Sequence, residues 1–504
     1  MTAIFDPDLN ARPAGYAFLI ELFQIQTRPH WRSSYVGKGR KHQLMVDGDR
    51  TLEVFPSTYW PGDEAVSHLL FALKKDGINL ELLARVFQAV DSTSICKLLT
   101  DRPTSKYTRR IWFLYEWLTG STLPLEDLAA GNYVDLLDEQ EYFTTQSPHK
   151  VKRQRINDNL LGGNSFAPIV RKTEKLNLLD EPALMSKCQS LVEDFPTDII
   201  KRALAYLYLK ETKSSFEIEH IKPGSERMER FIALLKQAES KDFLSKESLL
   251  AIQNQIVDPR FRDSDYRRTQ NYVGQTVSYQ SEKIHFVCPK PEDLELLMEG
   301  LLASHRRMAS DLTSILVHAA VISFGFVFLH PFEDGNGRIH RFLLHNILAK
   351  RGFSPPGLMF PISAVMLNQL EIYNQALEEF SHPLLQHISY ELDEDGKMTV
   401  HNQTKDFYRF PDLTKQAEAL LFFVNQTIES ELRKELQFLS NYDRAKSEIQ
   451  AIVDMPDRLI DLFIRLCWQN QGKLSERKRK KHFPELTEGE IIKLESAAHP
   501  NDSR

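Results

Sequence analysis

"HPFEDGNGRIHR", His330–Arg341, is the stretch on which the reading of this chain turns. A base, a carboxylate, a Gly-Asn-Gly triplet and two arginines share these residues, a mixture that suits neither a core nor a plain solvated helix. Just upstream, "DLTSILVHAAVISFGFVFL" (311–329) is apolar nearly all round, which predicts a buried helix. Pro331 disfavours helical backbone at His330, so that helix should stop there. Phe332 supplies a core anchor. Gly335 and Gly337 permit backbone angles closed to other residues and let a ligand approach the main chain. Asn336 is expected to N-cap the next helix, "GRIHRFLLHNILAKRG", which Gly352 closes. The loop thus aims free backbone N–H groups and the positive end of a helix at one point, a ready anion site. Arg338 and Arg341, spaced i and i+3, share a face of the first turn beside it. Asp334 is a hard oxygen ligand suited to magnesium held against phosphates. His330 titrates near neutrality and can serve as a general base. A helix cap with surface arginines would account for Asn336 and the glycines, but not for the whole set. No Walker loop is present, and "VGKGRK" at 36–41 lacks its spacing and reads as a hairpin turn.

The 504 residues are 42% hydrophobic and 26% charged, an ordinary globular balance with room for two to four domains. A formal charge of -6 offers no global basic field for nucleic acid or membrane. Cys96, Cys188, Cys288 and Cys467 lie far apart, which suggests scattered thiols in a reducing compartment and neither a disulfide framework nor a zinc site. "MTAIFDPDLN" lacks the basic and apolar runs of a signal peptide, and no stretch is long and uncharged enough to span a membrane. A cytoplasmic protein without membrane contact is expected.

The coarse pattern is mainly α. Residues 1–100 read as a mixed α/β region: "HQLMVDGDRTLEVF" is a hairpin about Asp47-Gly48, and "DEAVSHLLFALKKDGINLELLARVFQAV" is two helices broken at Gly77. In 101–180, "TRRIWFLYEWLTG" is a core helix closed by Gly120, and the basic, Gly-rich "SPHKVKRQRINDNLLGGNSFAP" reads as an exposed connecting loop. Residues 181–390 are almost all helical, except for two short strands within 272–291. Residues 391–504 hold a hairpin at Asp395-Gly396 and then helices.

The loop resembles the signature of the Fic family, HPFx[D/E]GNGRxxR, at every fixed position. The resemblance implies a helical core over 181–390, with a β-hairpin flap at about 272–291 that docks the target backbone through Glu282, Lys283, Ile284 and His285. It implies transfer of AMP from ATP to a Ser, Thr or Tyr hydroxyl of a target protein, the chain itself included. His330 would take the hydroxyl proton and Asp334 would hold Mg2+ between the α- and β-phosphates. Gly335, Asn336 and Gly337 would cradle the phosphates, and Arg338 and Arg341 would neutralise them. Tyr373, in "SAVMLNQLEIYNQALEEF", is the candidate adenine neighbour; a core Tyr is the alternative. Many members place a His seven residues before the motif His; here that position is Ser323.

"SSFEIEH" (214–220) carries Ser214 and Glu217 in capping-box spacing, which predicts a helix start, with Ser215 and Glu219 on one face. It is an ordinary capped helix or, by the resemblance, the inhibitory motif [S/T]xxxE[G/N] on a helix at about 212–222. In that second reading Glu219 pairs with Arg341 in the γ-phosphate's place, and His220 departs from the motif. The same carboxylate would serve the reverse reaction, removal of AMP. Near the end, Arg477–Lys481 is a basic run, and two short helices joined near Pro484 would form a helix-turn-helix. That supplies a rival reading, a nucleic-acid-binding regulator with the core as nucleotide sensor. The intact His330 argues against it, because a sensor needs no base. The intact Gly-Asn-Gly-Arg likewise disfavours a Doc-type phosphotransferase.

Overall fold

Among the described residues of the computed structural model, 11–278 and 281–499, helices dominate and the strands form four small sheets. The chain divides into two compact units, one of residues 11–179, 237–351 and 370–421, the other of 180–236, 352–369 and 422–499.

In the first unit, Ala11–Ala14, Arg32–Gly37, Arg50–Phe55 and Gln43–Asp47 lie side by side in that order. The hairpin about Asp47-Gly48 forms as its turn residues dictate, with Asp47 opposite Arg50. The glycines at 37 and 39 do not make a hairpin turn. Arg32–Gly37 pairs parallel with Arg50–Phe55, so the chain after Gly37 must cross from one side of that strand to the other. Ala65–Lys75 and Leu80–Ala89 break at Gly77, and Lys106–Thr119 stops at Gly120; both glycines have positive φ. Leu69, Leu83, Ile111 and Trp112 from these helices join one core.

The stretch 147–168 is not an exposed connector. His149–Val151 and Ile156–Asp158 pair, Val134–Asp135 joins them, and Leu160, Leu161 and Phe166 are buried. Two of its arginines mislead because they are internal braces. Arg153 binds Glu116 and the carbonyl of Leu123, and Arg155 binds the carbonyls of Leu128, Ala129 and Gly131.

The same unit holds Ile315–Leu329, buried on nearly every side, packed between Pro291–Ala309 and Asn336–Lys350. Tyr272–Ser278 and Ser281–Val287 form the expected antiparallel hairpin. Its base is pinned where Phe286 meets Phe328, Phe380 and Tyr408. A smaller hairpin, Tyr390–Leu392 with Met398–Val400, turns at Gly396.

In the second unit, Thr197–Ile218 is one long helix, and it overturns the expected start at Ser214. Ile199, Ala203 and Leu207 carry a buried stripe through the upstream turns, so the hydroxyl-acid pair falls in the last turn and not the first. Glu211 accepts from both the backbone N–H and the hydroxyl of Ser363. The C-terminal helices Arg433–Ile452, Asp457–Trp468 and Glu488–Ala498 share an apolar core. The capping box of Thr487 and Glu490 forms as predicted. Glu476–His482 buries none of its basic side chains, and the helix after it, EGEIIKLESAA, carries three glutamates against one lysine.

Candidate active site

The buried helix ends where Pro331 requires, with His330 as its C-cap at φ +48. The His330 N–H bonds the carbonyl of Phe326 at 2.9 Å. Nδ1 lies 3.3 Å from the carbonyl of Val327, which can only accept. Nδ1 therefore carries the proton, and Nε2 presents a lone pair. Burial, and then the cationic Arg267 nearby, lower the imidazole's pKa to about 4. The ring is thus neutral at pH 7 and able to accept a proton.

Arg267 escaped the sequence reading; nothing in "YRRTQN" distinguishes it from Arg268. It is buried, and its guanidinium donates to the carbonyls of His330 at 2.8 Å, Thr269 at 2.7 Å and Pro289 at 2.6 Å. Its own N–H bonds Pro331. One side chain thereby ties the His-Pro turn to both ends of the flap.

The loop is closed by Asn336, in a role other than the expected N-cap. Gly335 is the cap, at φ +92, and a Cβ there would stand 3.1 Å from Val257 Cγ1. An N-cap Asn needs extended backbone, and this turn is left-handed. Buried inside the first turn, Asn336 accepts from the Phe332 N–H at 3.1 Å and donates to the Phe332 carbonyl at 2.7 Å. Phe332 packs against Tyr266 and Phe326.

Asp334 Oδ1 accepts from the Gly335 N–H at 2.6 Å and from Arg338 Nη2 at 2.8 Å. Its carboxylate is 46% exposed. Arg338 is fully buried and also donates to the carbonyl of Ile256, and Arg341 is 1% exposed. The arginines are therefore not surface residues of a capped helix. Gln253, a second residue the sequence did not mark, is fully buried and donates to Asp263 at 3.0 Å and to the Asp334 carbonyl at 3.4 Å. Asp263 in turn accepts from the Glu333 N–H, and burial pushes its pKa up.

Among the described residues no three His, Cys, Asp or Glu side chains gather to hold a metal unaided. The half-exposed Asp334 can contribute a ligand, which fits a magnesium ion whose remaining ligands are phosphate oxygens and water.

Tyr373, on Leu370–Leu385, is 3% exposed, its ring 6.1 Å from that of His340. On the flap, Glu282 accepts from the Tyr272 hydroxyl. Lys283 lies opposite Gln275 and Ile284 opposite Gly274, while Ile284 and His285 are half-buried. Ser323 is buried and its hydroxyl donates to the Ala319 carbonyl at 2.6 Å, so the position is a helix-internal packing site. Ser215 and Glu219 belong to the second unit, at the end of Thr197–Ile218. Ser215 is fully buried, Glu219 is the C-cap, and His220 follows at φ +57. In chemical terms, an imidazole whose Nδ1 faces a backbone carbonyl stands at a turn that leads into a helix N-terminus carrying two buried guanidiniums.

Residues 243–348 match the family described as Fic/DOC. "Protein adenylyltransferase Fic" of Culex quinquefasciatus is 35% identical over 120 residues, 23% of this chain and 21% of that protein. The protein of the same name from Aedes aegypti is 32% identical over 117 residues, again 23% and 21%. The matched region spans about a fifth of the length of these curated relatives. Among solved structures, a Fic family protein from Desulfovibrio desulfuricans G20 covers 62% of this chain and 85% of its own at 18% identity and a TM-score of 0.35. No helix among the described residues is long and apolar enough to cross a membrane.

Proposed function

We propose, from the match of residues 243–348 to the Fic/DOC family, that this chain transfers AMP from ATP to a Ser, Thr or Tyr hydroxyl of a protein, itself included. The observation that supports the reading is the placement of His330 at the turn with its Nδ1 3.3 Å from the Val327 carbonyl, which leaves Nε2 as the ring's proton acceptor. In the reaction, the target hydroxyl oxygen attacks the α-phosphorus and the bond to the bridging β-phosphate oxygen breaks. Pyrophosphate leaves, and the hydroxyl proton passes to His330 Nε2 and then to solvent. The backbone of Gly335, Asn336 and Gly337, with Arg338 and Arg341, binds the phosphates and offsets the charge on the leaving group. Asp334 would hold Mg2+, which supplies further charge neutralisation when bound. Tyr373 would shape the adenine wall, and Glu282–His285 would offer the flap's backbone edge to the target chain.

Glu219 is the internal brake in this reading, competing with the γ-phosphate for Arg341. Its support is the placement of Ser215 and Glu219 in the last turn of one helix, followed by a left-handed residue. A motif that asks for Gly or Asn after the glutamate asks for that backbone, and His220 adopts it.

The test is incubation with α-labelled ATP and cell lysate, comparing wild type, His330→Ala, Glu219→Gly and the double variant. His330→Ala should lower labelling by about 10²–10⁴-fold while ATP binding persists. Glu219→Gly should raise labelling by about 10²-fold, and the double variant should be silent. Wild-type labelling by His330→Ala would remove the base from the mechanism. A Glu219→Gly chain that labels like wild type would reduce "SSFEIEH" to a helix end. Loss of label from a pre-labelled target would point to removal of AMP as the wild-type direction.

A further inference from the structure

A basic cavity lies in the N-terminal region. It has a volume of about 590 Å³ and is lined by Lys74 and Lys75 from the end of Ala65–Lys75, by Lys97 on Ser92–Asp101, by Arg102 at that helix's C-cap, and by Tyr59. The carboxylates in its wall are Glu64 and Asp101. None of the four cations ion-pairs with a carboxylate among the described residues. Burial, then Arg102 and Lys75, lower the pKa of Lys74, so like charges lie near one another here. Residues 11–110 hold 15 Lys and Arg against 10 Asp and Glu, whereas the chain as a whole is at -6.

The cations alternate with rings. Lys75 Nζ is 5.2 Å from the Phe55 ring and 5.4 Å from the Tyr59 ring. Lys74 Nζ is 5.5 Å from the Tyr107 ring, over which Lys106 also lies at 5.0 Å. Tyr59 is 46% exposed. The Ser57 N–H bonds the Gly39 carbonyl, which sets the basic loop of Lys38, Arg40 and Lys41 beside the turn that carries Tyr59. Lysines commonly complement the negative end of a helix, and both helices end here. That accounts for charge at each helix end. It does not account for the half-exposed ring or for the third basic run on the loop.

We propose that this groove binds nucleotide phosphates with a base stacked on Tyr59, as presented by a single-stranded nucleic acid or by a free nucleotide. Cations that track a phosphate backbone, interleaved with rings that accept any base, are the chemistry single strands require. An acidic peptide would use the cations but has no need of the open ring.

The experiment uses the full chain and a fluorescein-labelled uridine oligomer of about 12 nucleotides, followed by anisotropy from about 50 to about 200 mM salt. Lys97→Glu with Arg102→Glu should weaken binding by about 10-fold or more and make the salt dependence shallower by about two phosphate contacts. Tyr59→Ala should weaken it by about 10-fold. All three positions are exposed, and unchanged melting checks the fold. Lys478→Glu with Lys480→Glu, on the basic helix Glu476–His482, should leave binding unchanged. Displacement by uridine monophosphate at the oligomer's own concentrations would identify a free nucleotide as the source, and displacement only by the oligomer would identify a single strand. Three outcomes overturn the proposal: no binding at low salt, loss of binding only in the Lys478–Lys480 variant, or equal displacement by polyglutamate with Tyr59→Ala silent.

Discussion

Residues 330–341 and residues 214–220 both mark helix boundaries with left-handed backbone, yet they are built in opposite ways. At the first boundary the left-handed residues are His330 and Gly335, and each is held by tertiary partners. Arg267 grips the His330 carbonyl, Asn336 clamps Phe332, and Val257 crowds the space a Cβ at Gly335 would take. At the second, the left-handed residue is an exposed histidine, and the backbone bonds of the helix end itself make the turn: the His220 N–H to Glu217 and the Ile221 N–H to Phe216. The difference teaches where each boundary is vulnerable. The first should fail when a distant partner is removed, the second only when local backbone preference changes.

Arg267→Met should produce the largest effect. It leaves the carbonyls of His330, Thr269 and Pro289 without their donor, at about 1–3 kcal/mol for each buried group. Thermal melting should report the loss. The charge is a separate matter. Arg267 lowers the His330 pKa, so its removal raises that pKa, and the acid limb of kcat/KM moves to higher pH. Arg267→Lys keeps the charge but not the three-way grip. It should destabilise while leaving the acid limb near its wild-type position. If both variants shift the limb equally, the Arg267 charge is not what adds to the effect of burial on the ring.

Gly335→Ala comes next. Left-handed backbone costs a residue with a Cβ about 1–2 kcal/mol, and the approach to Val257 adds to it. Melting should fall by that amount, and Val257→Ala should recover the part due to contact. No recovery would assign the whole penalty to backbone.

The smallest effect is at the other boundary, and it has the opposite sign. His220→Gly relieves left-handed strain but loosens the unfolded chain, for a net gain of about 0.5 kcal/mol. A drop in melting temperature would show that the His220 side chain makes a contact worth more than the strain it carries.

The sequence by itself determined the elements whose residues impose a conformation. Pro331 stops a helix because its ring excludes the preceding turn, and the glycines at 48, 77, 120 and 396 mark turns because they reach positive φ without cost. The buried helix follows from an apolar run and the two strands within 272–291 from their residue types, while their role as a flap came only from the resemblance. The chemistry of the loop was legible too, since His330, Asp334 and the arginines are identified by what they can bind or titrate. The tertiary structure alone decided the assignments that depend on partners far along the chain. Asn336 became a clamp and not a cap because Gly335 already occupied the only conformation the turn allows. The hydroxyl-acid pair at 214–217 fell at a helix end because buried residues upstream continued the helix through it. The arginines of 153–155 became internal braces because carbonyls more than twenty residues earlier in the chain lay within reach. Arg267 and Gln253 were invisible for the same reason: a buried guanidinium or amide gains its role from carbonyls and carboxylates that only folding brings together.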